Sequence, residues 1–279
     1  MLEHIIKEAQ RTAQQHEDSA DYIGENGLIY CGKCRTAKQI RLPYPLEAVM
    51  PCMCKCMAAE YEAEKEAERE QARQEIRDRR RYDAFHSTKY RDATFAADDG
   101  GSAQLMRVCK GYVKRFVERF HAREPMEWLL LYGDIGVGKS YAAAAVVNML
   151  IDKGFSGRFT TLSEIERELW GAEHKSRVYE SLRLCDIMVL DDLGAERDTE
   201  YMQEIMYNVI DQRLRANKPM IVTTNLDQKA IMQPQDVNRK RIMSRLMEKS
   251  VPYLCKGTDR RMHAMRSNAK SVLEDLLNG

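Results

Sequence analysis

A glycine-rich segment near the middle of this 279-residue chain has the residue types and spacing of a phosphate-binding loop. The segment contains the pattern G-x-x-x-x-G-K-S and reads Gly133, Asp134, Ile135, Gly136, Val137, Gly138, Lys139, Ser140, Tyr141. Glycines allow successive backbone N–H groups to point at phosphate oxygens, and the following helix adds the positive end of its dipole. We expect Lys139 to reach the β- and γ-phosphates of ATP and the Ser140 hydroxyl to ligate Mg²⁺.

Two carboxylates follow an apolar run further along the chain. Asp191 and Asp192 come directly after residues 185–190. A hydrophobic strand that ends in aspartate is where a P-loop protein holds its Mg²⁺. We therefore assign Asp191 to the metal, together with Ser140, and expect Asp192 to orient or deprotonate the attacking water. Many strands end in aspartate, so this pattern is informative only because a P-loop precedes it.

Polar residues in the last third of the chain complete a candidate ATPase site. Asn225 ends another apolar run, where it could hydrogen bond the water or the γ-phosphate, although a polar turn is the alternative. Arg241 and Arg245 are one helical turn apart and share a face. That face is either a solvated basic surface or an arginine finger offered to a neighbouring subunit's nucleotide. Arg260 or Arg261 could reach the nucleotide within the same subunit.

Five of the eight cysteines are clustered near the N-terminus and have metal-ligand spacing. They are Cys31, Cys34, Cys52, Cys54 and Cys56. Four thiolates around tetrahedral Zn²⁺ are a common structural site. The first two cysteines form a C-x₂-C knuckle, whereas the last three compete for the two remaining ligand positions. A redox cluster is the alternative, but a region with so few large apolar side chains would hardly fold without a metal.

The pattern of apolar runs predicts an α/β fold after an N-terminal module. We predict a zinc-binding module at residues 1–57, a charged helical linker at 58–98 and an ATPase domain at 99–279. Strands are expected at 128–132, 157–161, 185–190, 219–224 and 251–255. Helices are expected at 139–153, 162–183 with a break at Gly171, 198–216, 237–248 and 260–277, and a further helix after residue 102. Such alternation implies a parallel sheet with helices on both faces.

Composition limits the kinds of partner. The formal net charge is +1, so any nucleic-acid surface must be a local patch. Basic residues interleaved with aromatics suit single-stranded DNA, and the candidates are Arg79–Tyr82, Lys89–Arg91 and Arg239–Arg241. A solvated linker end is an equal alternative for the first two. No stretch approaches the ~18 apolar residues of a spanning helix. We therefore expect a soluble cytoplasmic protein without a secretory signal or membrane contact.

Taken in order, these motifs resemble a known family. The P-loop, Asp-Asp-Leu-Gly-Ala-Glu, Thr-Thr-Asn-Leu, Arg-Ile-x-Ser-Arg-Leu and Gly-x-x-Arg-Arg resemble the AAA+ ATPases of the initiator and helicase-loader clade. Within that clade the pattern is similar to DnaC/DnaI-type replicative helicase loaders, and IstB-type transposition ATPases share much of it. The resemblance covers residues from about 90 to 279.

The resemblance implies a P-loop AAA+ core with five parallel strands, a reduced helical lid and nucleotide at a subunit interface. It matches Lys139 and Ser140 to the P-loop pair, Asp191 and Asp192 to Walker B, and Asn225 to sensor 1. It also matches Arg245 to the finger with Arg241 as its companion, and Arg260 or Arg261 to sensor 2. The usual Walker B pair is Asp-Glu, so the shorter Asp192 predicts slow hydrolysis.

Three functions follow as hypotheses. The first is an ATP-dependent replication protein that binds the hexameric replicative helicase, helps load it on single-stranded DNA and self-associates through its ATPase domains. Its hydrolysis would be slow and stimulated by the partner or by single-stranded DNA. The second is a transposition helper ATPase, which usually carries a helical N-terminal domain instead of a zinc module. The third, a zinc-dependent nucleic-acid-binding regulator with a vestigial P-loop, conflicts with intact Lys139, Ser140 and Asp191.

Overall fold

The computed structural model describes residues 20–44, 47–97, 101–234 and 236–260. The chain forms two compact units that divide between Glu75 and Ile76. The limits expected from the sequence, after residues 57 and 98, lie on either side of this point. No helix within the described ranges is both long enough and apolar enough to cross a membrane.

The first unit contains short antiparallel hairpins. Strand β1 (Tyr22–Ile23) pairs with β2 (Ile29–Tyr30), and β3 (Gln39–Arg41) pairs with β4 (Val49–Pro51). The sequence did not predict these strands, because two or three residues are too few to show an alternating pattern.

A charged helix is present in the predicted linker, but it begins before residue 58 and ends well before residue 98. Helix α1 (Lys55–Ala84) begins between the last two cysteines of the cluster and continues past the division between the units. Its exposed face carries ion pairs between residues three apart, such as Lys65 with Glu68 and Arg73 with Glu70. Each such pair supports an isolated helix by about 0.2–0.5 kcal/mol.

The second unit is built on the five-stranded parallel sheet that the sequence predicted. Its strands are β5 (Trp128–Gly133), β6 (Gly157–Thr161), β7 (Ile187–Leu193), β8 (Met220–Thr224) and β9 (Ser250–Cys255). They lie in the order β6-β7-β8-β5-β9, and every neighbouring pair is parallel. The continuous apolar runs follow from this arrangement, because a parallel sheet is covered on both faces.

Helices cover both faces of this sheet. They are α2 (Ala103–Ala122), α3 (Lys139–Asp152), α4 (Leu162–Gly171), α5 (Lys175–Leu184), α6 (Glu200–Arg215), α7 (Gln228–Met232) and α8 (Val237–Lys249). One apolar cluster includes α2 and α3, and a second includes α4 to α8. The predicted break at Gly171 is confirmed, whereas the short α7 was not predicted. The helix expected at 260–277 lies outside the described residues except for Arg260.

The segment between α1 and α2 packs into the core of the second unit. Phe85 and Phe95 are buried there, and the Phe85 ring stacks on Phe159 of β6 with 5.4 Å between ring centroids. The sequence placed this segment in the charged linker. Its aromatic residues show that it belongs to the folded core of the second unit instead.

The strand order decides which polar residues meet. In parallel α/β sheets, ligands bind beyond the carboxyl ends of the strands. Strand β8 lies between β5 and β7. The P-loop after β5, Asn225 after β8 and Asp191 on β7 therefore converge on one edge.

Candidate functional site

A cavity of about 560 Å³ lies at this edge of the sheet. Most of the residues that the sequence singled out for ATP line it. The lining residues are Lys89, Tyr90, Ile135, Gly136, Gly138, Lys139, Ser140, Tyr141, Asp191, Asp192, Thr223, Asn225 and Arg260. The cavity is thus large enough for a nucleotide and carries ammonium, hydroxyl and carboxylate groups together.

The turn after β5 depends on glycine. Gly133 and Gly136 have φ angles of 120° and 78°. A Cβ on Gly133 would lie 2.5 Å from the Cys255 carbonyl oxygen, and one on Gly136 would lie 2.0 Å from the Asp259 carboxylate. Other residues would be strained here and would also collide with the strand and loop that lie beside the turn.

Three hydrogen bonds fix the Lys139 ammonium in the lining of the cavity. It donates hydrogen bonds to the carbonyl oxygens of Gly133 at 3.0 Å and Asp134 at 2.6 Å, and to Asn225 Oδ1 at 2.8 Å. The side chain is buried. A buried cation beside a P-loop backbone is a preformed group for phosphate recognition.

A bulge in β7 brings both aspartates to the same cavity. Successive strand residues normally point to opposite faces. The pairing register of β7 with β8 shifts between Leu190 and Leu193, and Asp192 has a φ angle of 56°. The Thr223 hydroxyl donates to Asp191 Oδ1 at 2.6 Å and accepts from the Asp192 N–H at 2.9 Å, which holds the bulge in place.

Asp191 is a buried carboxylate beside the Ser140 hydroxyl. Burial raises the pKa of Asp191, while hydrogen bonds from Thr223 and Ser140 lower it. Ser140 and Asp191 therefore offer adjacent oxygen ligands of the kind that Mg²⁺ prefers.

Asn225 connects the two halves of the site. Its Oδ1 accepts from Lys139, and its Nδ2 donates to Asp192 Oδ1 at 2.9 Å. The amide thus fixes the Asp192 carboxylate in relation to the P-loop lysine. Asn225 therefore lies between Lys139 and Asp192, and its role as a sensor of the γ-phosphate stays a prediction.

The other P-loop residues are held by hydrogen bonds to neighbouring loops. The Asp134 carboxylate accepts from the Gly257 N–H at 3.2 Å, and the Val137 carbonyl accepts from the Ser102 hydroxyl at 2.6 Å. The Tyr141 hydroxyl donates to the Thr94 carbonyl at 3.0 Å. Ile135 is 61% exposed, so its side chain forms part of the open rim of the cavity.

Four cysteine thiols of the first unit lie together. The Sγ atoms of Cys31, Cys34, Cys54 and Cys56 are all within 4.8 Å of one another. Sulfurs bound at about 2.3 Å to tetrahedral zinc lie about 3.8 Å apart, so the group has the size of a four-thiolate site. Cys52 lies outside the group, with its Sγ 3.5 Å from the Ala37 carbonyl oxygen. Cys52 is therefore not one of the clustered thiols.

Hydrogen bonding already favours a thiolate at one position. The Thr36 hydroxyl, 3.0 Å from Cys34 Sγ, lowers the pKa of Cys34 to about 5. The neighbouring Cys54 thiol, 3.2 Å away, raises the pKa of Cys56 to about 12. Thiols this close cannot all ionise without a cation, and a divalent metal would supply that charge.

Comparison with known proteins identifies the family. The model of the family of IstB-like ATP binding proteins matches residues 103–266. The chain belongs to the IstB-like ATP-binding family. The family match and the P-loop geometry agree that the second unit is an ATP-binding domain.

Individual relatives include a replication protein and a protein of an insertion sequence. The replicative helicase loader DnaI of Bacillus subtilis (strain 168) is 26% identical over 163 residues, which are 54% of this chain and 52% of DnaI. An ATP-binding protein in an insertion sequence of Mycobacterium tuberculosis, Rv3427c, is 28% identical over 102 residues, or 36% of this chain and 41% of that protein. The chain thus spans about half the length, or less, of these curated relatives.

A solved structure confirms the fold. A crystal structure of DnaI aligns with a TM-score of 0.53 at 26% identity, covering 65% of this chain and 99% of that chain. The expected AAA+ core with its five-stranded parallel sheet is confirmed, and with it the likeness to DnaC/DnaI-type loaders.

The two arginines of α8 lie together but outside the nucleotide cavity. They line a separate cavity of about 530 Å³ with Tyr207 and neighbouring residues. The Arg245 guanidinium pairs with Asp211 and lies 4.8 Å from the centre of the Tyr207 ring, whereas Arg241 is exposed. A finger that serves a neighbouring subunit is expected in such a place, because it must be available at the surface.

Of the two candidates for sensor 2, only Arg260 belongs to the described residues. Arg260 lines the nucleotide cavity, and its N–H donates to the Gly136 carbonyl at 3.1 Å. Arg261 lies outside the described residues.

Three residues of the cavity were missed as ATP-site residues. Thr223 belongs to the Thr-Thr-Asn motif at the end of β8. That motif could have identified it, because a hydroxyl there can hydrogen bond the Walker B aspartate on the neighbouring strand. Lys89 and Tyr90 were predicted to contact DNA. No local signal placed them at the nucleotide, because their position depends on the packing of residues 85–97 against α3.

Proposed function

We propose that this protein is an ATP-dependent replication protein that binds the hexameric replicative helicase and helps load it on single-stranded DNA. The observation that carries the proposal is a four-thiol group in a unit that precedes a complete ATP site. This order resembles zinc-bearing loaders, whereas transposition helpers of the same family usually begin with a helical domain. The proposed role places the protein in the cytoplasm.

We propose that the second unit hydrolyses ATP slowly. Mg²⁺, when bound by Ser140 and Asp191, would neutralise charge on the β- and γ-phosphates. Lys139 holds the phosphates, and Asp192 with Asn225 orients water. The Asp192 carboxylate is on a short side chain that already accepts a hydrogen bond from Asn225. Its limited reach supports a switch that is stimulated by the helicase or by single-stranded DNA.

The clustered thiols of the first unit support a structural zinc site. We propose that Cys31, Cys34, Cys54 and Cys56 bind one Zn²⁺, with Cys52 left out. Four sulfurs within 4.8 Å of one another match a four-thiolate site, whereas a redox pair needs only two, and this favours the zinc assignment over a redox cluster. All eight cysteines have free thiols.

Self-association is part of the proposal. Arg245 and Arg241 do not line the nucleotide cavity of their own subunit, which supports a role at the nucleotide of a neighbouring copy. In this arrangement each active site takes its P-loop from one subunit and its finger from the next.

Two of the predicted DNA patches keep exposed groups. In Arg79–Tyr82, the guanidinium groups of Arg80 and Arg81 contact Gly154 and Asp152, while Tyr82 is 67% exposed. In Arg239–Arg241, Arg239 pairs with Asp198 at 3.3 Å, while Lys240 and Arg241 are exposed. Exposed aromatic and cationic side chains support stacking on single-stranded bases.

Co-purification tests the proposed partner. The full-length protein, with ATP and Mg²⁺, should retain the replicative helicase of its host or phage and should not retain a transposase. Lys139→Ala is the control for nucleotide dependence, and Cys31→Ser is the control for the cysteine unit. Retention of transposase without helicase would contradict the loader proposal.

The insertion-sequence relative favours one alternative, a transposition helper ATPase. The same co-purification separates it from a loader. A zinc-dependent regulator with a vestigial P-loop is the third candidate, and the well-formed cavity argues against it. Absence of ATP binding by the wild-type protein would revive that candidate.

A further inference from the structure

Residues between α1 and α2 add a cation to the lining of the nucleotide cavity. Ser87 accepts a hydrogen bond from the Lys89 N–H and caps a single 3₁₀ turn, Thr88–Tyr90. Lys89 is exposed and lines the cavity together with Asp191, Asp192 and Lys139. The sequence alone suggested DNA contact for this lysine.

The turn is anchored to the helix that follows the P-loop. The buried Asn148 amide of α3 donates to the carbonyl oxygens of Tyr90 at 3.2 Å and Ala93 at 2.9 Å. The Tyr90 ring also packs on Phe159 with 5.4 Å between centroids. The backbone of Lys89 is therefore fixed in relation to the P-loop, so little ordering would be needed on nucleotide binding.

The Lys89 ammonium is available to bind an anion. It lies 4.9 Å from the centre of the Tyr90 ring, and within the described part of the chain no carboxylate forms an ion pair with it. Lys89 and the Asp191 carboxylate line the same cavity. The ammonium thus shares the cavity with the carboxylate proposed to hold Mg²⁺, and the γ-phosphate of a bound nucleotide is expected beside that ion.

We propose that Lys89 contacts the γ-phosphate of ATP and so gives the site a preference for ATP over ADP. This inference rests on the proposed ATP site and adds a recognition residue from outside the P-loop and Walker B motifs. Lys89 belongs to the segment between α1 and α2. The same contact would therefore hold that segment against the nucleotide only when the third phosphate is present.

The test compares ATP and ADP affinities of purified variants with Mg²⁺. Lys89→Gln should weaken ATP binding about tenfold, as expected for loss of one charge-assisted hydrogen bond, and should change ADP binding less than twofold. Lys89→Arg should restore most of the ATP affinity. The matched control is Lys110→Gln, because the Lys110 ammonium also covers an aromatic ring of this segment, at 5.6 Å from Phe95, but does not line the cavity.

Other outcomes overturn the proposal. Equal losses of ATP and ADP affinity would show that Lys89 does not distinguish the third phosphate. Unchanged ATP affinity of Lys89→Gln, together with weaker binding of a single-stranded oligonucleotide, would show that Lys89 contacts DNA instead of ATP. Lys139→Ala separates this failure from failure of the ATP site itself. If Lys139→Ala abolishes ATP binding and Lys89→Gln does not alter it, only the role of Lys89 is wrong.

Discussion

The two units of this chain are stabilised by different means. In the first unit the strands are two or three residues long, and apolar side chains such as Ile23 and Tyr44 are 75% and 84% exposed. In the second, apolar clusters fill both faces of a five-stranded sheet. The first unit has a group of four clustered thiols, for which we propose a stabilising zinc ion, whereas the second has an extensive apolar core.

The difference teaches how each unit should respond to perturbation. A fold that depends on one bound ion should unfold completely when the ion or one of its ligands is removed, because metal binding and folding are coupled. A fold that depends on many buried side chains loses stability in small steps. The predictions that follow test this contrast, from the largest expected effect to the smallest.

Loss of one clustered thiol should unfold the first unit and spare the second. Structural zinc contributes about 10–16 kcal/mol of apparent binding free energy in small metal domains. We expect Cys31→Ser to lose zinc and to become sensitive to protease before residue 76, while ATP affinity stays unchanged. Metal analysis and limited proteolysis measure the two effects.

Cys52→Ser is the matched control for that experiment. Its thiol is outside the four-thiol group, so zinc content and protease resistance should match those of the wild type. Complete loss of zinc in Cys52→Ser, with retention in Cys31→Ser, would show that the ligands are assigned wrongly.

The second unit should depend on a neighbouring copy and not on the first unit. We expect Arg245→Ala to leave ATP binding nearly intact and to lower turnover on the order of 10³-fold, because a finger stabilises only transition-state charge. Arg215→Ala is the control, since Arg215 pairs with the same Asp211 at 2.6 Å but lies on α6. Steady-state ATPase assays give the comparison.

Mixing sharpens this prediction. Arg245→Ala combined with Lys139→Ala should form some interfaces with one intact P-loop and one intact finger, and activity should partly return. Activity that is proportional to monomer concentration and shows no recovery on mixing would indicate a self-contained ATPase.

Within the ATP site, Lys139 should affect nucleotide affinity without affecting the metal of the first unit. Loss of its hydrogen bonds to phosphate in Lys139→Ala should weaken ATP binding on the order of 10- to 100-fold. Zinc content should be equal to that of the wild type. A fluorescent nucleotide titration and metal analysis of the same sample check both statements, and a parallel loss of zinc would contradict the separation of the units.

The same contrast explains what could be predicted from the sequence. Long apolar runs and the P-loop were predictable, because a parallel sheet and a phosphate turn each restrict many neighbouring residue types. The hairpins β1 to β4 carry no comparable pattern. The sequence also did not decide among Cys52, Cys54 and Cys56, because that choice depends on where α1 begins and on how the hairpins fold.

The position of Lys89 shows a second limit. Its neighbours in sequence are basic and aromatic, which suggested DNA. It lines the same cavity as P-loop and Walker B residues, because Asn148, far along the chain, binds the backbone of Tyr90 and Ala93. Contacts between distant segments are not visible in local composition, and they decided this part of the site.

The smallest expected effect is an acid-sensitive ion pair at the surface of the second unit. Arg115 donates to both carboxylate oxygens of Glu127, at 3.1 and 2.8 Å, and lowers the pKa of Glu127 to about 2. A carboxyl group with a lowered folded-state pKa stabilises the protein above its unfolded pKa of about 4.5, and this contribution disappears as the pH falls toward about 2.

We therefore expect Glu127→Gln to lower the free energy of unfolding by less than about 1 kcal/mol at pH 7, because the pair is partly exposed and screened by water. The difference from wild type should vanish as the pH approaches 2. Urea unfolding of the second unit at several pH values measures it, with Glu118→Gln as the control, because Glu118 pairs with Lys114 only at 3.9 Å and both side chains are well exposed. A difference that persists at pH 2 would mean that Glu127 contributes through packing and not through its charge. A loss of several kcal/mol at pH 7 would show that the stability of the second unit also depends strongly on one interaction.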